Sequence, residues 1–241
     1  MKTYVISLVR STDRRERMSK QLDGIGIQYE FFDATDAQEP NFLYSERQTP
    51  ILSTRRFGYP ITINEIACYS SHFRLWQLVT ELNEPILVLE DNIDLADNFL
   101  DGYKQLKTLS KKYSFFKLSA TKRTPYKDIA SIEGDLSIVF HAKKTCGIMG
   151  YVVTPEAAKA FIHNAEKFVE PVDNYMEKPY KHGVKTYNIH PSLVLRAPIK
   201  STIGKKRKLK LKQNLGFSDK LYIELFRLYE QLRDYIKIKL S

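Results

Sequence analysis

The sequence predicts an α/β protein with a mixed, mostly parallel sheet. Short apolar or β-branched runs alternate with longer helical patterns, which is the element order of α/β folds. The run at 86–89 is apolar at every position, as in a parallel strand buried on both faces. The length of 241 residues suits one domain with an appendage. We predict a domain at 1–196 and a basic tail with a helix at 197–241.

The first elements form a β-α-β unit. Residues 3–8 are β-branched and apolar and predict a strand, and residues 28–32 predict a second strand that ends at Asp33. Between them, Ser11 precedes a charged helical pattern for which Gly24 is a stop signal. Two strands joined by a helix are the start of a parallel sheet.

A long loop and a buried helix come next. Residues 36–60 contain three prolines and show no clear period, so we predict an irregular loop there. Thr62 and Glu65 match a capping box, in which a hydroxyl and a carboxylate three residues later bond the first turn of a helix. The helix continues to Leu82, and the apolar strand at 86–89 follows it.

The α/β alternation continues through the rest of the predicted domain. Thr154 followed by Pro155 is a typical helix start, because proline suits the first helical position. The other predicted elements are a helix at 98–110, strands at 115–119, 136–140, 147–153 and 184–189, and a further segment at 171–182.

The positive charge is concentrated in the tail. The chain has 38 Lys and Arg against 28 Asp and Glu, a net charge of +10. Residues 197–241 hold 12 of these cations and 4 of the acids, a net of +8, which leaves +2 for residues 1–196. A nearly neutral domain argues against a nucleic-acid-binding fold, so we predict no nucleic-acid partner.

The cysteines and the hydropathy pattern indicate the compartment. Cys68 and Cys146 follow no metal-ligand spacing and are typical of a reducing environment. The N-terminus shows no signal-peptide pattern, and no window has the apolar length of a membrane span. We therefore expect a cytoplasmic protein.

The tail combines a polybasic run with an amphipathic helix. Residues 205–212 include six cations in eight positions, and a helix is predicted at 218–240. A basic amphipathic helix suits the anionic inner face of the cytoplasmic membrane, so we expect peripheral attachment there. The alternatives are packing on the domain and a homodimer through a short coiled coil. The apolar stripe of this helix comprises Leu221, Leu225, Leu228, Leu232 and Tyr235.

Acidic residues fall at three predicted strand or turn ends. They are Asp33, the Glu90-Asp91 pair with Asp94, and Asp173. Ligands of open α/β sheets bind outside the carboxyl ends of the strands. A carboxylate pair there suits a divalent cation that bridges a diphosphate. The alternative is that these acids are solvated loop residues or helix caps.

Seven short segments in order resemble glycosyltransferase family 25, the bacterial lipopolysaccharide and lipooligosaccharide sugar transferases. The resemblance covers about residues 3–195 and implies a GT-A-like fold with a single nucleotide-sugar-binding domain. The segments are 5–8 with Arg14 and Arg15, 26–34, 64–68 with Ser71, His72 and Trp76, 89–92, 147–154, 172–173 and 187–191.

The resemblance implies a divalent cation, Mn²⁺ or Mg²⁺, held by Asp91, Asn92 and Asp94. The family usually has Asp where this chain has Asn92, and an amide oxygen carries no charge, so the affinity for the cation is expected to fall. It also implies Asp173 as the general base of an inverting transfer. A helix-start cap is the alternative reading of Asp173.

The resemblance implies a nucleotide-sugar donor, and the residues expected to bind it lie at strand ends and on helices. Ser7 and Asp33 lie at the ends of the first two strands, where the resemblance implies contacts with the base or ribose. Arg14 is a candidate phosphate contact, with an ordinary surface arginine as the alternative. Glu65 and His72 lie on one helical face, although capping alone also explains Glu65. Glu90 and Asp91 complete the predicted donor-binding set.

The resemblance implies that the protein transfers galactose or glucose from a UDP-sugar. The acceptor would be a lipid-linked glycan of the lipooligosaccharide or lipopolysaccharide type, and the transfer would invert the anomeric configuration. Two alternatives stay open. One is a nucleotidyltransferase, although the segment after the first strand lacks the glycine-rich phosphate loop of that class. The other is a catalytically impaired adaptor that binds glycan or membrane, with Asn92 as the altered residue.

Overall fold

The computed structural model describes residues 1–199 and 215–239. Within them, eight strands form one sheet in the order β2-β1-β3-β8-β5-β9-β7-β6, and β4 pairs with β10 separately. The strands are β1 Lys2–Ser7, β2 Glu30–Asp33, β3 Ile86–Glu90, β4 Ile93–Leu95, β5 Phe115–Lys117, β6 Tyr126–Ser131, β7 Ser137–His141, β8 Gly150–Val153, β9 Tyr187–His190 and β10 Val194–Arg196.

The sheet is mixed, and most of its strands point the same way. β1 is parallel to β2 and β3, and β5 is parallel to β9. β8 runs antiparallel to β3 and β5, and β7 runs antiparallel to β9 and β6. Among the described residues, six of the eight strands therefore share one direction. The predicted α/β class with a mixed, mostly parallel sheet is confirmed.

Helices cover both faces of the sheet. They are α1 Thr12–Gly24, α2 Pro50–Phe57, α3 Ile63–Leu82, α4 Phe99–Leu109, α5 Pro155–His163, α6 Val172–Met176, α7 Pro179–His182 and α8 Phe217–Lys239, with a short 3₁₀ helix at Ser45–Arg47. Among residues 1–199 and 215–239, every helix is too short or too polar to span a membrane.

The central strand β3 explains why both faces need a core. Ile86 and Val88 point into the cluster formed with α3 and α5, whereas Leu87 and Leu89 point into the cluster formed with α1 and α4. All four side chains are fully buried. Alternate side chains of a strand face opposite sides of a sheet, so an unbroken apolar run requires helices on both.

Local sequence signals set the helix boundaries near the site. The capping box is present, because Glu65 N donates to Thr62 Oγ1 and Thr62 N donates to Glu65 Oε2. Thr154 also acts as an N-cap, since its hydroxyl accepts a bond from Ala157 N. These caps start α3 and α5 at the predicted residues.

The predicted irregular loop at 36–60 is wrong in its second half, which forms α2. Pro50 occupies the first turn of this helix, and Gly58 ends it at a φ of +80°. Both signals were present in the sequence, but the helix is only eight residues long. The edge strand β6 was also missed, because its side chains are mostly exposed and show no apolar alternation.

The C-terminal helix α8 packs against α2 and α7 with one face. Ile223 and Glu230 on that face are buried. The apolar stripe predicted for this helix lies on the other side and is exposed, with Leu225 at 55% and Leu228 at 61%. The alternative that this stripe packs on the domain is therefore wrong. The division at residue 196 stays a prediction, and the polybasic run at 205–212 lies outside the described residues.

Candidate functional site

A cleft of about 370 Å³ opens at the carboxyl ends of β1, β2 and β3. The residues that follow these three strands form its floor and rim. Arg10, just before α1, Arg14 in its first turn and one face of α3 complete the wall. Because the three strands are adjacent and parallel, their ends meet at one edge of the sheet, where α/β proteins bind ligands.

Asp91 is the centre of a hydrogen-bonded network in this cleft. The Ser7 hydroxyl donates to Asp91 Oδ2 at 2.7 Å, and Arg14 Nη1 donates to Asp91 Oδ1 at 3.0 Å. Asp91 is only 8% exposed. The network joins the ends of β1 and β3 to α1, so these three predicted donor-binding residues do come together.

A second ion pair lies at the rim of the cleft. The Arg10 guanidinium bonds the carboxylate of Asp36, with Nη2 at 3.2 Å from Oδ1. This pairing, led by the hydrogen bond from Arg10, lowers the pKa of Asp36. The neighbouring Thr35 is fixed to α3, because its amide donates to Ser71 Oγ at 2.9 Å. The segment after β2 is thereby held against the helix.

One face of α3 lines the cleft with residues that recur every three or four positions, as on one side of a helix. Asn64, Ala67, Cys68, Ser71 and His72 lie along it. The thiol of Cys68 has a pKa raised well above its usual value, chiefly by burial, so it is an un-ionised part of the wall.

His72 is the buried end of this face. Its Nδ1 lies 2.9 Å from the Tyr151 hydroxyl, and its side chain is 1% exposed. Burial lowers the pKa of His72 to about 3, which keeps the imidazole neutral. A neutral ring can hydrogen-bond a ligand in the cleft but does not supply a positive charge.

Glu90 ends β3 beside Asp91 and also lines the cleft. Burial raises its pKa to about 6, and the charges of Asp91 and Asp173 act in the same direction. A hydrogen bond from Asn92 and the charge of Arg196 oppose the shift. Glu90 therefore changes protonation state near neutral pH, which is a property of acid–base residues.

Asn92 tests whether this edge of the sheet fits a divalent cation. Its Oδ1 is buried and accepts no hydrogen bond. The oxygens of Asp91, however, are already bonded to Ser7 and Arg14. Within the described residues, no group of three or more His, Cys, Asp or Glu is arranged to hold a metal ion. The divalent cation therefore stays a prediction, and the unbonded oxygen of Asn92 is where this edge of the sheet could add a ligand.

Four predicted site residues, Asp94, Asp33, Glu65 and Asp173, do not line the cleft. Asp94, on β4, forms an ion pair with Arg17 at a separate surface cavity. Asp33 pairs with Arg15 on the surface, its side chain 62% exposed. The carboxylate of Glu65 accepts the capping bonds from Thr62, so the structure shows the capping role that the sequence offered as the alternative.

Asp173 supports a turn beside the cleft. Its Oδ2 accepts the amide of Gly147 at 3.1 Å, and its Oδ1 accepts the amide of Asn174 at 2.9 Å. Glu177, one turn later on the same segment, accepts the amide of Cys146. Asp173 is near enough to Glu90 to raise the pKa of that residue, although it does not line the main cleft.

Sequence reasoning missed Arg10 and Asp36. Each lies three residues beyond the end of its strand, since β1 ends at Ser7 and β2 ends at Asp33. The rule that ligands bind beyond strand ends applies to the whole loop, and only the first residues of each loop were considered. A search for opposite charges in the two neighbouring loops would have found the pair.

Comparison with known proteins points to one family. The sequence profile of glycosyltransferase family 25 (LPS biosynthesis protein) matches residues 1–176. A "Glycosyltransferase 25 family member" of Anopheles gambiae is 30% identical over 185 residues, which is 72% of this chain. The lipooligosaccharide biosynthesis protein lic2B of Haemophilus influenzae is 31% identical over 171 residues, or 65% of this chain.

The aligned part is only a fraction of each relative. It spans 30% of the Anopheles protein and 60% of the Haemophilus protein, so the chain covers less than two thirds of their lengths. The profile match nevertheless includes all three strands that form the cleft, the whole of α3 and Asp173. The chain belongs to glycosyltransferase family 25.

Proposed function

We propose that the protein transfers a hexose, galactose or glucose, from a UDP-sugar to a lipooligosaccharide- or lipopolysaccharide-type acceptor. The observation that carries the proposal is the cleft at the ends of β1, β2 and β3, in which Ser7, Arg14 and Asp91 form one network. Family membership supports the reaction class, and the name of the Haemophilus relative supports the acceptor. The reaction would take place in the cytoplasm, at the inner face of the cytoplasmic membrane.

The charges of the cleft suit a diphosphate near α1. Arg10 and Arg14 both line the cleft there, and guanidinium groups bind phosphate oxygens in pairs of parallel hydrogen bonds. The start of a helix adds unpaired amides and a partial positive charge. The nucleoside would then lie toward Ser7 and the loop at 34–38, on the β2 side of the cleft.

The divalent cation stays a prediction from the family resemblance. Arg14 already neutralises Asp91, so the cleft balances part of its own charge. A cation that arrives with the diphosphate would meet Glu90 and the open oxygen of Asn92. Titration of the donor with and without Mn²⁺ measures how much the cation contributes.

Transfer with inversion requires a base that takes the proton of the acceptor hydroxyl as its oxygen attacks the anomeric carbon and UDP departs. Asp173 remains our candidate for this base. Glu90 is the second candidate, because it lines the cleft and its pKa is about 6.

Substitution of each acid separates the two candidates. Loss of the base should reduce kcat by roughly 100-fold or more while the donor still binds. We expect this of Asp173→Asn, with Glu90→Gln as the matched variant, and the readout is kcat against pH. If only Glu90→Gln removes the fall of kcat at low pH, and Asp173→Asn alters thermal stability alone, the base is Glu90.

A screen of UDP-sugars tests the proposed function directly. Each UDP-sugar is added to the purified protein with and without Mn²⁺, and the unfolding temperature is measured. Ligand at 100 times its dissociation constant adds about 2.7 kcal/mol to the folded state, which is a readable shift. The sugar that binds is then offered with a lipooligosaccharide acceptor, and UDP release is followed. Absence of both a shift and UDP release for every sugar would rule the proposal out.

A further inference from the structure

Helix α8 exposes a broad apolar face. At 100° per residue, nine apolar or aromatic side chains between 217 and 236 fall within an arc of about 140°, and no charged residue of that range lies among them. Each of the nine is between 37% and 84% exposed. They are Phe217, Leu221, Tyr222, Leu225, Leu228, Tyr229, Leu232, Tyr235 and Ile236.

The opposite face of α8 is fixed to the domain. Ile223 is buried against Gly58, and the ring of Phe226 meets Phe57 edge-to-face at 6.0 Å. The Glu230 carboxylate bonds the buried ammonium of Lys178. Rotation of the apolar arc toward the domain would break these contacts, so the arc stays turned outward.

The distribution of tyrosines within the arc favours a lipid surface over a second copy of the chain. Tyr222 and Tyr229 lie at one edge of the arc and Tyr235 at the other, with leucines between them. Tyrosine rings settle at membrane–water interfaces because one end is apolar and the other is polar. A coiled-coil seam needs only two of every seven positions, which is narrower than this arc.

Cations lie along the edge formed by Tyr222 and Tyr229. The Arg55 guanidinium is 4.9 Å from the ring centre of Tyr222, and the Arg233 guanidinium is 5.8 Å from that of Tyr229. These groups stand where headgroups would meet an inserted helix. The net charge of +8 over residues 197–241 favours anionic headgroups.

We propose that α8 lies in the plane of an anionic membrane surface, with its leucines among the acyl chains and with Arg55 and Arg233 among the headgroups. The helix lies on the membrane and does not cross it. Since its other face is fixed to α2 and α7, binding would hold the whole domain in one orientation on the lipid. This proposal does not depend on sugar transfer, so it is tested separately.

Flotation with lipid vesicles is the test. The full chain is mixed with vesicles of phosphatidylcholine alone or of equal parts phosphatidylcholine and phosphatidylglycerol. The variant Leu225→Gln/Leu228→Gln removes two apolar side chains without changing the charge. The matched control Gln231→Ala changes an exposed residue outside the arc and also leaves the charge unchanged. Circular dichroism establishes that both variants keep the fold.

We expect the wild type and the control to float with the phosphatidylglycerol vesicles. The arc variant should bind these vesicles about tenfold more weakly or worse. The proposal is overturned if the wild type stays with the unbound fraction, or if the arc variant floats as well as the wild type. A dimer in light scattering that the arc variant abolishes, without any flotation, would assign the face to a second copy instead.

Discussion

At the residue scale, the site depends on how one buried carboxylate is held. Asp91 accepts bonds from a hydroxyl on β1 and a guanidinium on α1, so its charge is compensated inside the protein. A buried carboxylate without such partners would be protonated or would destabilise the fold. The same arginine lines the cleft and is the one proposed to bind a ligand phosphate, which makes it the residue to change first.

Replacement of Arg14 by Gln should raise the Kd for UDP about tenfold or more, because a charged hydrogen bond to phosphate contributes roughly 1.5–3 kcal/mol. Isothermal titration calorimetry with UDP measures the effect. Arg17→Gln is the matched control, since Arg17 lies on the same helix but pairs with Asp94 outside the cleft. Equal losses in the two variants would contradict a phosphate-binding role for Arg14.

The buried His72 predicts a particular dependence of stability on pH. Its pKa is about 3 in the folded state and about 6.5 when unfolded. The folded state therefore disfavours protonation, and the contribution of this residue to stability is full above pH 6.5 and is lost as the pH falls toward 3. At about pH 5 the loss should be roughly 2 kcal/mol relative to neutral pH.

Urea unfolding of His72→Gln at several pH values checks this expectation. The variant should be less stable overall, because the hydrogen bond with Tyr151 is lost, but its stability should fall less between neutral pH and pH 5. His163→Gln, on the exposed end of α5, is the control and should keep the wild-type slope. An unchanged slope in His72→Gln would show that other groups dominate the acid response.

At the element scale, the predictable elements were those with a strong local signal. The capping box fixed the start of α3, and the apolar run fixed β3, because each signal is complete within a few neighbouring residues. The exposed edge strand β6 and the short pair of β4 with β10 have no such signal. They form because distant residues pair with them, which a local pattern does not encode.

The turn before β8 requires glycine at position 147, both for its backbone conformation and for the space around it. The φ of Gly147 is +66°, and a Cβ at this position would lie 2.5 Å from Thr121 Oγ1. Gly147→Ala should therefore lower the free energy of unfolding by more than the ~1–2 kcal/mol of the left-handed conformation alone. Thermal unfolding measures the loss.

Gly134→Ala is the matched control, because Gly134 has a φ of +59° but nothing within 4 Å of an added Cβ. The excess loss in Gly147→Ala over Gly134→Ala isolates the close approach to Thr121. Adding Thr121→Ala to Gly147→Ala should recover part of that excess. Equal losses in the two glycine variants would show that the turn relaxes away from Thr121.

At the scale of the whole molecule, sequence reasoning predicted the α/β class and the family, but only part of the site. Ser7, Glu90 and Asp91 come together with Arg14 because they lie at the ends of neighbouring strands, next to the first turn of α1, and His72 of α3 meets them there. Asp94 and Asp33 were placed in the same set, yet each turns to an arginine on α1. Which direction a loop side chain takes is decided by its charged neighbours in space, and these are far apart in sequence.

The docking of α8 provides a prediction at this scale. Glu230→Ala leaves Lys178, which is 1% exposed, without the partner that α8 supplies. Glu170 still pairs with Lys178, so we expect the free energy of unfolding to fall by about 2 kcal/mol through loss of one buried hydrogen bond between charged groups. Glu224→Ala, on the exposed side of the same helix, should cost under about 0.5 kcal/mol.

Urea denaturation of the two variants gives the comparison. A single cooperative transition shifted only by Glu230→Ala would show that α8 folds with the domain. Two transitions, or no difference between the variants, would favour an independent tail after residue 196.

The position of β8 in the sheet has a consequence for the order of folding. This strand lies between β3 and β5, both of which precede it in the chain. During synthesis, β1, β2 and β3 emerge as one sheet fragment with an unpaired edge on β3. That edge remains available to other chains until about 60 more residues have left the ribosome. We therefore expect the nascent chain to be most prone to aggregation between the release of β3 and the release of β8.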